Sequence, residues 1–225
     1  MTTQYHIVAE ASLSKRPRLL DLFCCEGGAG QGYADAGFEV VGVDIEPQPR
    51  YPFEFHQGDA LEYLRRHGHE FDAIHASPPC QGYSRTNQLN DNEHPLMIED
   101  VRALLIALGK PYAIENVPGA PLLNPLTLCG TMFGLNTIRH RLFETSPVCW
   151  FAPYLCNHRL PNAKMGRQPK PGCEYIQVVG HFANVEMGRA AMEMPWASQY
   201  GLAQAIPPAY TQFIGQHLMK HLTPA

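Results

Sequence analysis

The chain has 225 residues, of which 45% are apolar and 17% charged, and its formal net charge is −4. This composition predicts one well-buried globular domain with a small appendage and excludes a disordered or fibrous protein. No apolar run approaches the ~20 residues of a membrane span, and the N-terminus lacks a signal-peptide pattern. Seven scattered cysteines indicate reduced thiols, so we expect a cytoplasmic protein without a membrane partner.

The first ~120 residues alternate short apolar runs, typical of buried strands, with segments of helical spacing. The predicted strands are 18–23, 38–44, 71–76 and 112–117, and the predicted helices are 33–36, 59–66 and 95–108. Strands that alternate with helices predict an α/β fold with a doubly wound, mostly parallel sheet and right-handed crossovers.

The character of the chain changes after about Ser146. Prolines and polar residues without periodicity predict a loop-rich lobe up to about Gly172, and Ala197 to His221 predicts closing helices interrupted at Ile206–Ala209. Basic residues outnumber acids between Arg139 and Lys170, which is compatible with a solvated loop or with a phosphate-facing surface.

A glycine-rich turn, Cys24–Gly32, follows the first predicted strand. Such a turn lets a cofactor approach the backbone and a helix N-terminus. Asp44 lies 17 residues after Gly27, close to the ~20 expected for an acid that binds ribose hydroxyls. The spacing matches neither GxGxxG nor a P-loop. The pattern favours a nucleoside cofactor, and the alternative is a tight turn with a helix-capping acid.

Two further motifs follow the ends of predicted strands. Pro78 and Pro79 make a stiff, extended loop that presents Cys80 beyond one strand, and Glu115 and Asn116 lie at the end of the next. Neighbouring parallel strands would bring the thiol and the carboxyl group to one edge of the sheet, where open α/β sheets bind ligands. A carboxyl group raises the pKa of a nearby thiol, so Glu115 is better suited to protonate an electron-poor ring, with its own pKa raised by burial. A buried cysteine and a capping glutamate are the alternative for either residue alone.

Arg139 and Arg141 are two positions apart and would share one face of a strand, where they could clamp a carbonyl oxygen or a phosphate. Ordinary surface arginines are the alternative. Metal ligation is not predicted, because the late lobe has no CxxC pair and its cysteines and histidines are irregularly spaced. We interpret the scattered cysteines and histidines of this lobe as structural residues. They are Cys149, Cys156, His158, Cys173 and His181.

Together these motifs resemble the DNA (cytosine-5)-methyltransferase family. Asp21–Gly28 resembles its first cofactor motif, Ser77–Gln81 its catalytic loop, and Glu115–Val117 its cytosine-binding motif. Arg139–Arg141 resembles the basic motif beside the target base, and Ala205–Thr211 the closing motif that completes the cofactor pocket. The resemblance covers about 19–143 and about 196–218, in a compact form like that of phage-encoded members.

The resemblance implies a Rossmann-like fold that uses S-adenosyl-L-methionine to methylate carbon-5 of cytosine in double-stranded DNA, in a bacterial cell or phage-infected host. Cys80 would attack carbon-6 of a flipped base, Glu115 would bind N3 and the amino group, and Arg141 would hold O2, with Arg139 as a further catalytic arginine of the same motif. Asp44 would bind ribose and Asp59 the adenine amino group. The cofactor residues implied are Asp21, Phe23, Cys24, Cys25, Gly27, Gly28, Asp44, Ile45, Asp59, Ala60 and Pro78. The DNA contacts implied are Gln81, Ser84, Asn116, Arg159 and Lys164.

The implied domains are a catalytic and cofactor-binding domain (1–144), a reduced target-recognition lobe (145–194) and a C-terminal segment that returns to the catalytic domain (195–225). The sequence departs from the family at three places. Cys25 replaces a usual glycine and costs about 1–3 kcal/mol if that position needs a positive φ. Thr137 replaces a common glutamine, which predicts looser anchoring of the following loop. The recognition lobe is short, although specific DNA interfaces bury ~1,000 Å² or more.

These departures leave alternatives to an active methyltransferase. One is a catalytically weak DNA- or cofactor-binding protein, or a subunit that needs a protein partner or self-association to complete DNA recognition. Another is the same fold with a different donor or substrate, such as RNA.

Overall fold

The computed structural model describes residues 15–83, 96–164 and 166–222. They form seven strands and six α-helices. The strands are β1 (Arg18–Leu22), β2 (Glu39–Asp44), β3 (Glu54–Gln57), β4 (Ala73–Ala76), β5 (Tyr112–Asn116), β6 (Leu126–Leu128) and β7 (Arg141–Ser146). The helices are α1 (Gly28–Asp35), α2 (Ala60–His67), α3 (Ile98–Leu108), α4 (Val185–Met192), α5 (Gln199–Gln204) and α6 (Pro208–Met219).

All seven strands form one sheet in the order β3-β2-β1-β4-β5-β7-β6. The five strands from β3 to β5 are parallel, and β7 runs antiparallel to both β5 and β6. The doubly wound, mostly parallel α/β fold predicted from the sequence is therefore confirmed. The four predicted strands correspond to β1, β2, β4 and β5.

The two faces of the sheet are covered by different helices, which is why the central strands are apolar throughout. On one face, residues of α1 and α6 such as Tyr33 and Ile214 pack with Leu19 and Val40. On the other face, α2 and α3 pack against alternate residues of the same strands, such as Leu20. This layering fixes the carboxyl ends of β1, β2, β4 and β5 along one edge of the sheet.

Helix α1 begins earlier than the sequence predicts, at Gly28 rather than at Tyr33. Its glycines permit close packing. A Cβ atom at Gly32 would lie 2.0 Å from the Pro208 carbonyl oxygen and 2.2 Å from Thr211 Oγ1. The Thr211 hydroxyl donates to the Ala29 carbonyl at 2.8 Å. Helix propensity alone disfavours such a glycine-rich segment, so tertiary packing against α6 explains the difference.

The late part of the chain contains little regular structure between β7 and α4, as the loop-rich prediction requires. Its described residues show only an isolated bridge between Asn162 and Tyr175. A small third core then forms around Ile176, Met192 and Leu202. The closing helices interrupted by prolines are confirmed as α5 and α6. The three domain boundaries stay predictions. Within the described residues, no helix is long and apolar enough to cross a membrane.

Candidate active site

The loop after β4 carries Cys80 and is braced by the end of β5. Ser77 continues the sheet by donating its backbone N–H to the Leu22 carbonyl at 3.2 Å, and Cys80 then accepts from the Tyr83 N–H at 3.0 Å. The Asn116 side-chain amide donates to the Pro78 carbonyl at 2.9 Å. Asn116 is buried, so its amide holds the proline loop in place rather than facing an open surface.

Cys80, Glu115 and Arg141 line one cleft at the carboxyl edge of the sheet. The antiparallel register of β5 and β7 brings the two charged residues together, and Arg141 Nε lies 3.0 Å from Glu115 Oε1. The Arg141 guanidinium also donates to the His140 carbonyl at 2.9 Å. The three side chains that the resemblance places at the target base are therefore brought to the same cavity.

The ionisation of this cluster follows from its burial. Burial raises the pKa of the Cys80 thiol, Arg141 opposes that shift, and Glu115 adds to it. Burial also raises the pKa of Glu115, against the lowering effect of Arg141, in the direction that the sequence predicts. A raised pKa favours the protonated form of this carboxyl group, and a raised thiol pKa disfavours the thiolate unless a nearby cation or base stabilises it.

Arg139 lies elsewhere, although the sequence predicts it beside Arg141. Its guanidinium is buried and donates to the Val178 carbonyl at 2.5 Å and to the Ala203 carbonyl at 2.7 Å. Burial lowers its pKa to about 9. Thr137, also buried, donates its hydroxyl to the Ile176 carbonyl at 2.9 Å. Both side chains bind the late lobe to the segment before β7. This segment is therefore anchored even though it lacks the glutamine usual in the family. Arg139 does not line the cleft.

The glycine-rich turn after β1 forms the opposite wall of the cleft. Phe23 and Cys25 have φ values of 59° and 46°, so the position where the family has a glycine does need a positive φ. Asp44 fixes the turn, because its carboxylate accepts from the backbone N–H of Cys25 at 2.9 Å and of Glu46 at 3.0 Å. Five predicted cofactor residues line the cleft: Phe23, Cys25, Asp44, Ile45 and Pro78.

Three other predicted cofactor residues lie behind the cleft wall. Asp21 is fully buried and accepts from the Tyr51 hydroxyl at 3.0 Å, and burial raises its pKa to about 8. Cys24 is buried with its pKa raised by desolvation. At Gly28 a Cβ atom would lie 2.5 Å from the Ile206 carbonyl oxygen, so this glycine allows the closing segment to approach.

The remaining predicted cofactor residues lie at the N-terminal ends of α1 and α2. Gly27 precedes α1 with a φ of 82°. Asp59 precedes α2, accepts from the Glu62 N–H at 2.8 Å as an N-cap, and faces a neighbouring groove. Ala60 is buried at the first position of α2. None of these three lines the cleft that contains Cys80.

The predicted DNA contacts lie in three separate parts of the chain. Gln81 opens a short 3-10 helix, Gln81–Tyr83, and Ser84 lies outside the described residues. Arg159 and Lys164 are exposed in the late lobe and do not line the cleft.

The cleft-lining residues that sequence reasoning missed include Tyr200 and Gln204 of α5. The returning C-terminal segment was the available signal, but it pointed to Ala205–Thr211 rather than to α5. Glu26 anchors α5 here, since its carboxylate accepts from the Ser198 N–H at 2.6 Å and from the Ser198 hydroxyl at 2.5 Å.

The fold is similar to that of two solved methyltransferase structures. The Entamoeba histolytica methyltransferase EhMeth superposes with a TM-score of 0.60 and 14% identity, covering 93% of this chain and 100% of that chain. The S. pombe Dnmt2 methyltransferase gives a TM-score of 0.59 and 13% identity over the same shares of the two chains. At these identities the likeness concerns the fold.

The sequence comparisons find similarity to one family. Residues 18–124 match the model of the C-5 cytosine-specific DNA methylases. The type II methyltransferase M.XorII of Xanthomonas oryzae pv. oryzae is 31% identical over 122 residues, 46% of this chain and 29% of that protein. M.FnuDI of Fusobacterium nucleatum is 30% identical over 112 residues, 45% of this chain and 33% of that protein. The matches thus span a third or less of these relatives. Residues 18–124, slightly less than half of the chain, are thus similar to the C-5 cytosine-specific DNA methylases.

Proposed function

We propose that this protein transfers a methyl group from S-adenosyl-L-methionine to carbon-5 of cytosine in double-stranded DNA. The observation that carries the proposal is the single cleft lined by Cys80, Glu115 and Arg141 on one side and by Asp44 and Ile45 on the other. One cavity therefore joins the residues expected to bind the cytosine and those expected to bind the cofactor.

The chemistry follows from the properties of the three side chains. Carbon-5 of cytosine is a weak nucleophile until a thiolate adds to carbon-6, which is the role of Cys80. Glu115 donates a hydrogen bond or a proton to N3, for which its raised pKa suits it. Arg141 stabilises negative charge that develops on the ring and favours the Cys80 thiolate. Carbon-5 then takes the methyl group, its proton is lost to water, and the Cys80 thiolate leaves as the ring double bond re-forms.

The cofactor side of the cleft suits an adenosyl group. Each Asp44 oxygen accepts one backbone N–H, and a second lone pair on each remains for ribose hydroxyls. Ile45 keeps 66% of its surface exposed beside Phe23, which offers an apolar contact for a base. When bound, S-adenosyl-L-methionine supplies an electrophilic methyl group. Phe23, Asp44, Ile45 and Pro78 would hold it.

The DNA substrate requires a flipped base, because the ring cannot react inside a stacked duplex. Gln81, Ser84, Asn116, Arg159 and Lys164 remain proposed DNA contacts, with Asn116 acting through the proline loop that it braces. A protein partner or self-association that completes recognition is also a proposal, supported by the small size of the late lobe. The cytoplasmic location stays a prediction.

Covalent trapping tests the proposal. The chain is incubated with S-adenosyl-L-methionine and pooled duplex DNA that contains 5-fluorocytosine. In this base fluorine replaces the carbon-5 proton and cannot be removed by a base, so the thioether persists. We expect a denaturation-resistant adduct whose peptide map contains Cys80. Cys80→Ala should abolish the adduct, while Cys173→Ala, which removes an exposed thiol outside the cleft, should retain it.

Absence of an adduct on every pool, with cofactor binding demonstrated by calorimetry, would contradict the proposal for the isolated chain and favour a binding subunit. An adduct on RNA alone would assign a different substrate. An adduct that survives in Cys80→Ala would show that another nucleophile acts.

A further inference from the structure

A cluster of two cysteines and two histidines lies next to the arginine motif. Cys129, His140, Cys156 and His158 each direct one potential ligand atom to a common point, and these four atoms all lie within 4.8 Å of one another. The sequence spacing hides the cluster, because two members precede β7 and two lie in the loop-rich lobe that follows it. Within the described residues, these four side chains are the one cluster with enough potential ligand atoms close together to hold a metal ion.

Two sulfur–nitrogen distances in the cluster match the edges of a tetrahedral zinc site. Zinc bonds of ~2.3 Å to sulfur and ~2.0–2.1 Å to nitrogen place neighbouring ligand atoms about 3.3–3.8 Å apart. Cys129 Sγ lies 3.4 Å from His158 Nε2, and Cys156 Sγ lies 3.4 Å from His140 Nε2. Cys156 Sγ and His158 Nε2 are closer, at 2.8 Å, and would separate by less than 1 Å around an ion.

Half of the site is held by the rigid part of the fold. Cys129 is buried beside β6, and its carbonyl accepts from the Met132 N–H at 3.0 Å. His140 immediately precedes β7, between the anchored Arg139 and the cleft residue Arg141. Pre-positioned ligands lower the entropy lost when an ion binds.

The other half lies on a segment that has no helix or strand to order it. Cys156 and His158 are exposed, and they follow a stretch with bulky exposed apolar side chains, including Leu155 with 91% of its surface exposed. Loops of this length without secondary structure need another source of order. Two coordinate bonds from this loop to an ion on the domain would supply it.

The surroundings favour an ion with two thiolate ligands. The Thr131 hydroxyl lies 3.3 Å from Cys129 Sγ and 3.8 Å from Cys156 Sγ, and is itself held by the Asn157 N–H at 3.2 Å. This hydroxyl is placed to donate to a coordinated sulfur, as outer-shell partners of metal ligands do. Two thiolates would also neutralise the divalent ion, so its binding beside Arg141 adds no net charge.

We propose that Cys129, His140, Cys156 and His158 form a structural Cys₂His₂ zinc site that ties the late lobe to the strand carrying Arg141. Both thiols lose their protons to solvent on binding. All four positions are occupied by protein, as in structural rather than catalytic zinc sites. The site does not depend on the proposed methyltransferase function.

Metal analysis of the full chain tests this proposal. The protein is purified without chelators and without an immobilised-metal column. Elemental analysis by plasma mass spectrometry should then give about one zinc ion per chain. Cys156→Ser and His158→Asn should each lose most of the zinc while retaining the wild-type circular dichroism, because both residues are exposed. Cys173→Ser, an exposed cysteine in the same lobe but outside the cluster, should keep it.

Two further measurements test the coordination geometry of the metal site and its role in ordering the late lobe. Cobalt(II) exchanged into the site should give thiolate charge-transfer bands and intense visible bands of a tetrahedral complex, absent in Cys156→Ser. Zinc removal should speed chymotrypsin cleavage after Trp150, Phe151 or Tyr154, with no such effect in the His158→Asn variant. The proposal is overturned if the chain neither retains zinc nor binds added zinc, if Cys156→Ser retains it, or if a Cys129–Cys156 disulfide is found in its place.

Discussion

At the scale of single residues, the turn after β1 is shaped by two side chains in a conformation that glycine adopts more easily. Phe23 and Cys25 both have positive φ and both line the cleft. Non-glycine residues in this region are strained by about 1 kcal/mol or more. The turn is therefore maintained by its partners, of which the bond from the Cys25 N–H to the Asp44 carboxylate is one.

Substitutions at Cys25 should reveal this strain. A β-branched side chain is especially unfavourable at positive φ, so Cys25→Val should lower the free energy of unfolding by about 1–2 kcal/mol relative to Cys25→Gly. Urea unfolding followed by circular dichroism measures the difference. Equal stability of the two variants would mean that the turn relaxes to another conformation.

Asp21 should make stability depend on pH. Its pKa is raised to about 8 by burial, whereas an unfolded aspartate titrates near ~3.9. Between these values the folded state binds more protons, so the contribution of Asp21 to the free energy of unfolding falls as pH rises, by at most ~1.4 kcal/mol per pH unit. Buried His75, with a pKa lowered to about 3, acts in the opposite direction below pH ~6.5.

Comparison of Asp21→Asn with the wild type isolates this contribution. The amide cannot ionise, so the stability of the variant relative to the wild type should increase steadily from pH 5 to pH 8. The measurement is urea unfolding in a series of buffers. A constant difference for Asp21→Asn would show that the carboxyl group is not protonated in the folded chain.

Whether a site residue can be predicted from the sequence depends on which part of the fold supplies its contact partners. Cys80 and Glu115 follow strands that are neighbours in the sheet, so their meeting follows from the strand order. Arg139 and Arg141 are equivalent in the sequence pattern, yet only Arg141 lines the cleft. The difference comes from the carbonyls of Val178 and Ala203, whose approach depends on how the late lobe folds back.

At the scale of elements, α1 and α6 are the pair whose contact is most demanding sterically. Gly32→Ala would place a Cβ atom 2.0 Å from the Pro208 carbonyl oxygen, which is backbone and cannot rotate away. We expect a loss of about 2–4 kcal/mol in the free energy of unfolding, as for overpacking that displaces a helix. Thermal and urea unfolding measure it.

Gly58→Ala provides the matched control for Gly32→Ala. A Cβ atom at Gly58 meets nothing within 4 Å, so this variant should differ from the wild type by less than about 1 kcal/mol. If both variants were equally stable, α6 would pack on α1 less closely than the structure indicates.

The elements that the sequence did not predict lack the usual patterns. Strand β3 reads Glu-Phe-His-Gln and β6 has three residues, and both are edge strands, which need no continuous apolar run. Helix α4 begins at Asn184, an N-cap that accepts from the Met187 N–H at 3.0 Å. The sequence therefore contained a capping residue for this helix, but the polar residues around it gave no apolar periodicity from which to predict a helix.

At the scale of the whole molecule, an early and a late segment of the described chain meet beside the cleft. The Trp196 indole donates to the Glu26 carbonyl at 2.8 Å, and the Glu26 carboxylate binds Ser198 at the start of α5. A residue near position 26 thereby orients a helix near position 200. The same long-range folding assembles the cysteine–histidine cluster, and no local spacing in the sequence could reveal either arrangement.

This closure makes Tyr200 a test of how the cofactor pocket is completed. Tyr200 lines the cleft beside Asp44 while 69% of its surface is exposed, so its ring is free to cover a bound nucleoside. Tyr200→Ala should weaken S-adenosyl-L-methionine binding about tenfold, equivalent to ~1.4 kcal/mol, since an aromatic contact contributes 0.5–1.5 kcal/mol beyond area burial. Calorimetric titration measures the affinity. Tyr154→Ala, an exposed tyrosine outside the cleft, should leave the affinity unchanged. Unchanged affinity in Tyr200→Ala would mean that α5 closes the cleft without contacting the cofactor.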